Sequence, residues 1–302
     1  MSIFKCPVCD GASWAPIIVD SPEDATEESL GSKEKFWLEN KQLLFKFARD
    51  DPPGDVRGED WAECVVHAVA RALAIPSACV ALGRCRNQRG VVVKTVLGPA
   101  ETLKHGNEIM EEFLKDFDAN LERANPQYTV DNVAAALHSY DASPTLPEWN
   151  ALDQFMAYLV LDALVAGTDR HLQNWGIIVR TEGTPTMAPT FDHGNALGFS
   201  EPPHRIAQLL SDSRVASSWV KKGGNRYFNG KPRLVDLARE AYFHASGLAQ
   251  DAIVDRLKAM DLHSIANTMS GVPADVMSDE QRMFARVVLE LNQRRLLDAL
   301  ST

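Results

Sequence analysis

The chain is poor in the features that would send it out of the cell or into a membrane. Met1 to Asp10 has no apolar core of the kind a secretory signal needs, which predicts a cytoplasmic protein, with a secreted effector as the alternative. The most apolar run, Phe155 to Ala166, is short and interrupted by Asp162, so it predicts no bilayer span. Positive charge is also short: 31 Lys and Arg against 41 Asp and Glu leave a net charge of −10. That balance argues against general binding to nucleic acid or anionic membranes. Cysteines number five, an odd count that suits a reducing compartment. Cys6-Pro7-Val8-Cys9 resembles half a zinc knuckle, but Cys64, Cys79 and Cys85 form no second CxxC. Structural zinc takes four ligands, so the pair reads as a solvent-facing terminal turn. There is no internal repeat and no long low-complexity tract.

What remains is the composition of a globular protein, 45% hydrophobic and 24% charged over 302 residues, enough for one large domain or two modest ones. The first hundred residues read as strand-rich. Trp14–Val19 predicts a strand and Ser21–Glu28 a polar loop. Lys35–Leu38 and Leu43–Phe47 predict a hairpin. Glu59–Ala74 opens with acidic residues and ends before Pro76, as a helix should. Cys79–Leu82 and Gly90–Leu97 predict two more strands, with Gly98-Pro99 as a turn and hinge. Beyond it the spacing turns helical over Glu101–Phe117, Val130–Tyr140 and Trp149–Ala166, the last capped by Gly167. Trp175–Arg180 and Thr186–Thr190 predict short strands, and the remainder is mostly helical. The expected architecture is α+β with two lobes: a small β-rich lobe, 1–98, and a larger helical lobe, 99–302.

The most informative residues follow the long apolar helix. Asp169 and Asn174 stand five positions apart, and Asp192 lies in the turn Phe191-Asp192-His193-Gly194. Phosphoryl transfer needs one carboxylate to orient and deprotonate a hydroxyl. It also needs an amide oxygen and a second carboxylate for Mg²⁺, a cation that shares its shell with water and phosphate. Arg170 is suited to tie this loop to the Asp192 turn. His171 either meets the transferred phosphoryl group or braces the loop.

Upstream, Lys46 sits in the apolar strand Leu43–Phe47. A buried cation needs an anion, phosphate or carboxylate, unless it lies on a wet strand face. Glu63 shares a helix face with Val66, Ala70 and Leu73 and is the candidate carboxylate, with Glu59 a competitor one turn earlier. Ser29-Leu30-Gly31-Ser32-Lys33 precedes the first hairpin strand. It can offer backbone N–H groups and an ammonium to phosphates, although the spacing is not Walker A.

Asp169-Arg170-His171-x-x-Asn174 with Phe191-Asp192-His193-Gly194 resembles the HipA-like serine/threonine kinases. It also resembles the catalytic loop of phosphatidylinositol 3/4-kinases. The resemblance covers roughly residues 28 to 200. It implies an ATP- and Mg²⁺-dependent protein kinase, with Asp169 as base and Asn174 and Asp192 as metal ligands. Lys46, held by Glu63, would bind the α/β-phosphates under a cover from Gly31, Ser32 and Lys33. It further implies a protein substrate, translation-related in a toxin-type kinase, and an antitoxin-like or regulatory partner. Ser29 or Ser32 would be the autophosphorylation site. The extra N-terminal subdomain of longer HipA toxins is not recognisable, which suggests the shorter members or a second chain. His193 replaces the usual hydrophobic residue after the metal-binding Asp.

Three other readings fit parts of the pattern. A phosphoinositide kinase would want basic residues after Asp192, yet Asn195–Pro203 has no Lys or Arg. A nucleotide-binding pseudokinase or scaffold would not need all five core positions. A two-metal hydrolase using Asp169, His171, Asp192 and His193 leaves Lys46 and Glu63 unexplained. The basic, aromatic segment Trp219–Lys231 reads as a solvated loop or as a weak contact for an RNA-bound or phosphorylated substrate.

Overall fold

The computed structural model describes residues 4–19, 26–27, 34–38, 41–50, 57–121 and 123–301. Ser29, Gly31, Ser32 and Lys33 therefore lie outside the described residues.

A six-stranded sheet forms the small lobe. Its strands are β1 (Ile17–Val19), β2 (Thr26–Glu27), β3 (Lys35–Leu38), β4 (Leu43–Phe47), β5 (Val80–Cys85) and β6 (Gln88–Lys94), in the order β1-β5-β6-β4-β3-β2. The expected hairpin is β3–β4, with Lys35 opposite Lys46 and Phe36 opposite Phe45. Alternation along β4 sends Phe45 and Phe47 to one face, where they pack with Phe36, Val92 and Cys85. Gly90 makes room for that cluster, since a Cβ there would lie 2.7 Å from the Phe45 ring and 2.3 Å from the Lys46 carbonyl oxygen. Leu44 and Lys46 point to the opposite face, which is also covered. Neither face of β4 is wet, so simple alternation misleads at Lys46.

The covering element is helix α2 (Glu59–Ala72), buried from Glu59 through Ala70. The one-turn helix α1 (Pro7–Asp10) precedes the sheet. Cys6 is 1% exposed, so the expected solvent-facing turn is in fact an inward-facing one.

Several element boundaries differ from expectation. Thr26–Glu27 pairs with Trp37 and Phe36 instead of looping, because the edge of β3 supplies partners that a polar two-residue strand does not advertise. Strands β5 and β6 turn on Arg86 and Asn87, both with positive φ. The expected helix from Glu101 splits. Thr102–His105 is strand β7, paired with β8 (Gly176–Val179), which also pairs with β9 (Thr186–Met187). Helix α3 (Gly106–Phe113) starts only after it. Gly106 is needed at that junction, since a Cβ would meet Trp175 at 2.3 Å.

The helical lobe is built around α5 (Ala151–Val165), buried at nearly every position and packed by α8 (Leu234–His244) and α11 (Asp279–Leu300). Asn150 and Asp153 close a capping box at its start, worth about 1 kcal/mol. Its left-handed end residue is Ala166, φ +54°, and not Gly167. Helices α4 (Val130–Leu137), α6 (Pro203–Ser211), α7 (Ser213–Lys222), α9 (Gly247–Ala259) and α10 (Leu262–Ser270) complete the layer. Among the described residues, no helix is long and apolar enough to cross a membrane.

The lobes are joined along the chain through residues 95–101 and again at the rear. There α2 packs on α10, Arg84 pairs with Asp275, and Arg89 donates to the carbonyl of Val276 at 2.9 Å.

Candidate active site

Lys46 is the centre of the site. Its Nζ lies 3.1 Å from Glu63 Oε1 on α2 and 3.1 Å from Asp192 Oδ1. Burial opposes its charge, but the carboxylates of Asp192 and Glu63 outweigh that, so its pKa is raised and it stays an ammonium. Glu59, the competing carboxylate, is engaged by Arg49 through the backbone N–H at 2.9 Å and the guanidinium at 3.7 Å.

The loop after α5 brings the next group. Arg170 is 3% exposed and forks onto Asp162 of α5 with two 2.8 Å hydrogen bonds. A third donor reaches the Asn174 carbonyl at 2.6 Å. Its ion pair thus anchors the loop to α5, not to the Asp192 turn as the sequence suggests. Burial works against this guanidinium too, and Asp162 overcomes it. Held this way, the loop presents Asp169, His171 and Asn174 to a common cleft. Asn174 donates through Nδ2 to the Asp169 carbonyl at 2.8 Å, leaving its amide oxygen as the atom available to a ligand. His171 caps a 3-10 turn, Leu172–Asn174, by accepting from the Gln173 N–H at 3.2 Å.

The Asp192 turn is positioned by backbone pairing and by a conformation few residues tolerate. Thr190 exchanges hydrogen bonds with the Pro76–Ala78 segment of the small lobe. Asp192 itself adopts φ +61°, a left-handed geometry that costs about 1 kcal/mol outside glycine. His193 is buried on Thr190 Oγ1 at 3.0 Å. Burial first, and then Arg170, hold its pKa well below the usual histidine value, so it is neutral and serves the turn as a hydrogen-bonding spacer.

Two residues escape the sequence reading. Tyr227 donates to Asp169 Oδ1 at 2.5 Å, and Arg226 lies 3.7 Å from the same oxygen. The ring of Tyr227 also packs edge-on against His171, with centroids 5.2 Å apart. Asn225 fixes this turn by accepting from the Tyr227 and Phe228 N–H groups, and Phe228 stacks on Tyr128 at 3.8 Å. Within the segment read as a solvated loop or substrate contact, residues 219–222 end α7, and 225–228 form a turn, buried at Asn225, Tyr227 and Phe228, that clamps Asp169. The tyrosine in an otherwise basic, glycine-rich stretch is the only signal that marks it.

Lys46, Asp169, His171, Asn174 and Asp192 line one cavity of about 480 Å³ between the lobes. Lys35, Lys46 and Arg49 give it a cationic end, and Leu44, Ala78, Val93, Val96 and Leu97 give it an apolar slot. An apolar lining of this kind can take a flat heterocycle, and cationic side chains can take phosphates. The Asn174 amide and the Asp192 carboxylate offer hard oxygens on the same wall, the donor chemistry Mg²⁺ takes.

The model of the HipA-like C-terminal domain family matches residues 29–255. The chain belongs to that family. This HipA-like chain superposes on the proinflammatory kinase CtkA of Helicobacter pylori with a TM-score of 0.70 and 17% identity, covering 93% of this chain and 96% of that one. It also resembles HipA of Shewanella oneidensis MR-1, solved with HipB and operator DNA. There the TM-score is 0.55 and the identity 10%, over 90% of this chain and 67% of that one. No curated protein matches it in sequence. At these identities the structural matches establish the fold, a two-lobed kinase-like α+β architecture, as the sequence predicted.

Proposed function

We propose that this HipA-like chain is an ATP- and Mg²⁺-dependent kinase that phosphorylates a serine or threonine hydroxyl of a protein substrate. The observation that carries the reading is Lys46 Nζ at 3.1 Å from both Glu63 and Asp192, on a cavity that Asp169 and Asn174 also line. Glu63 holds Lys46 where its ammonium meets the α/β-phosphates. Asp169 orients the acceptor hydroxyl and takes its proton, with Tyr227 holding the carboxylate in place. His171 braces the loop beside Tyr227, and Arg170 positions the loop from below. Asn174 and Asp192 would hold Mg²⁺ through their oxygens, and the ion would neutralise charge on the phosphate oxygens. Gly31, Ser32 and Lys33, outside the described residues, are the assigned phosphate cover, and Ser29 or Ser32 would be a regulatory autophosphorylation site. Residues 1–98 and 99–302 act as the two lobes.

The solved HipA is held by HipB. By that analogy we assign this chain an antitoxin-like or regulatory protein partner and a cytoplasmic setting.

The test is transfer of labelled γ-phosphate from ATP·Mg²⁺ by the chain alone and in cell lysate, beside Asp192→Asn and Asp169→Asn. Label on protein serine or threonine, lost in both variants, supports the assignment. Label in the lipid extract instead would replace it with a phosphoinositide kinase. Equal transfer by wild type and variants would remove the assigned site.

A further inference from the structure

The fold gives the Cys6-Pro7-Val8-Cys9 turn two companions that no spacing rule connects to it. His67 comes from the middle of α2, and Cys79 from the residue before β5. One ligand atom from each of Cys6, Cys9, His67 and Cys79 lies within 4.8 Å of all the others. Cys9 Sγ sits 3.2 Å from His67 Nε2 and 3.2 Å from Cys79 Sγ. All three cysteines are free thiols. A tetrahedral zinc with bonds of about 2.3 Å to sulfur and 2.0 Å to nitrogen holds its ligand atoms somewhat under 4 Å apart. The cluster is close to that spacing, with two pairs at 3.2 Å and none beyond 4.8 Å.

The surroundings are arranged as for a ligand set. Cys6 Sγ accepts from the Cys9 N–H at 3.4 Å, Asp10 accepts from the Cys6 N–H at 2.8 Å, and Gly11 closes the turn at φ +61°. His67 Nδ1 is paired with Ser77 Oγ at 2.7 Å, which fixes the ring and leaves Nε2 toward the sulfurs. Cys6 and His67 are buried, 1% and 2% exposed, and Cys9 and Cys79 are half-buried. Three thiolates and an imidazole form a closed, soft donor set that suits zinc and leaves no open position for catalysis.

We propose that this chain binds one structural Zn²⁺ through Cys6, Cys9, Cys79 and Nε2 of His67. Binding converts three thiols to thiolates and releases their protons to solvent, with no change of oxidation state. The ion staples the N-terminal segment to α2 and to the start of β5. His67 lies one helical turn beyond Glu63 on α2, and Ser77, its second partner, bridges to Thr190, two residues before Asp192. The metal therefore braces the two carriers of the Lys46 carboxylates from outside the cleft.

The experiment is metal analysis of the chain purified under reducing conditions without chelator, with parallel Co²⁺ substitution. One zinc per chain, and a cobalt form with tetrahedral d–d bands and thiolate charge-transfer absorption, are expected. Cys9→Ser and Cys79→Ser should each lower zinc content at least about 10-fold, while Cys85→Ala leaves it unchanged. Stripping zinc from the wild-type chain with a chelator should speed amide exchange in residues 59–72, a readout that needs no variant to fold. Absence of zinc both as purified and after anaerobic reconstitution overturns the proposal. So does a Cys9–Cys79 disulfide in the native chain, or full zinc content in the Cys9→Ser, Cys79→Ser double variant.

Discussion

Tyr227 places its phenol oxygen 2.5 Å from Asp169 Oδ1 across 58 residues of sequence. In the proposed reaction this bond fixes the carboxylate that would meet the acceptor hydroxyl. Hydrogen bonds to charged groups contribute about 1.5–3 kcal/mol. Tyr227→Phe is therefore expected to lower kcat by about 10-fold or more, while KM for ATP stays unchanged. Steady-state kinetics on both forms check this. A rise in kcat would instead mean that the phenol occupies the acceptor's place.

The same contact gives an alkaline signature. Burial, and then Asp169, push the Tyr227 phenol up to about 12 from an ordinary value of 10. The folded state thus keeps a proton that the unfolded state loses between those values. Its stabilisation is full below pH 10 and fades as pH rises toward 12, at up to about 1.4 kcal/mol per pH unit. Urea unfolding across that window should show a steeper loss for wild type than for Tyr227→Phe. Parallel slopes would contradict the contact.

Lys46 separates two carboxylates, one of them, Glu63, fully enclosed. Lys46→Met leaves them facing each other and should cost about 3 kcal/mol or more of stability, along with nearly all ATP turnover. Adding Glu63→Gln should return much of the stability and none of the turnover. Urea melts and an ATPase or transfer assay on the single and double variants measure the coupling.

Arg170 spends its donors on Asp162 and the Asn174 carbonyl. A lysine has no fork to repeat this, so Arg170→Lys should be nearly as harmful as Asp162→Asn, each costing about 3–5 kcal/mol. A loss under about 1 kcal/mol in urea unfolding would show that the loop is held by other means.

Much of this arrangement was legible in the sequence because it is encoded locally. Asp169, Asn174 and Asp192 sit at short, ordered separations, and the hairpin that carries Lys46 announces itself through its two apolar-aromatic strands. What was hidden depends on distant segments meeting. Nothing near Tyr227 says that it will reach Asp169, and Arg170 could not be assigned to Asp162 until α5 and the loop were seen folding back on each other. Thr102–His105 reads as helix because its pairing partner lies more than seventy residues away in β8. Cys79 and His67 have no motif in common with Cys6 and Cys9, only a shared location.

The rear contact between the lobes bears on how the cleft works. Arg89 is tied at once to Asp60 of α2 and to the Val276 carbonyl, and Arg84 reaches Asp275 beside it. That edge and the chain through residues 95–101 tie the small lobe to the helical lobe at two places. The strength of this rear joint can be altered at Arg84, Arg89 or Asp275 without touching a single residue that lines the cavity.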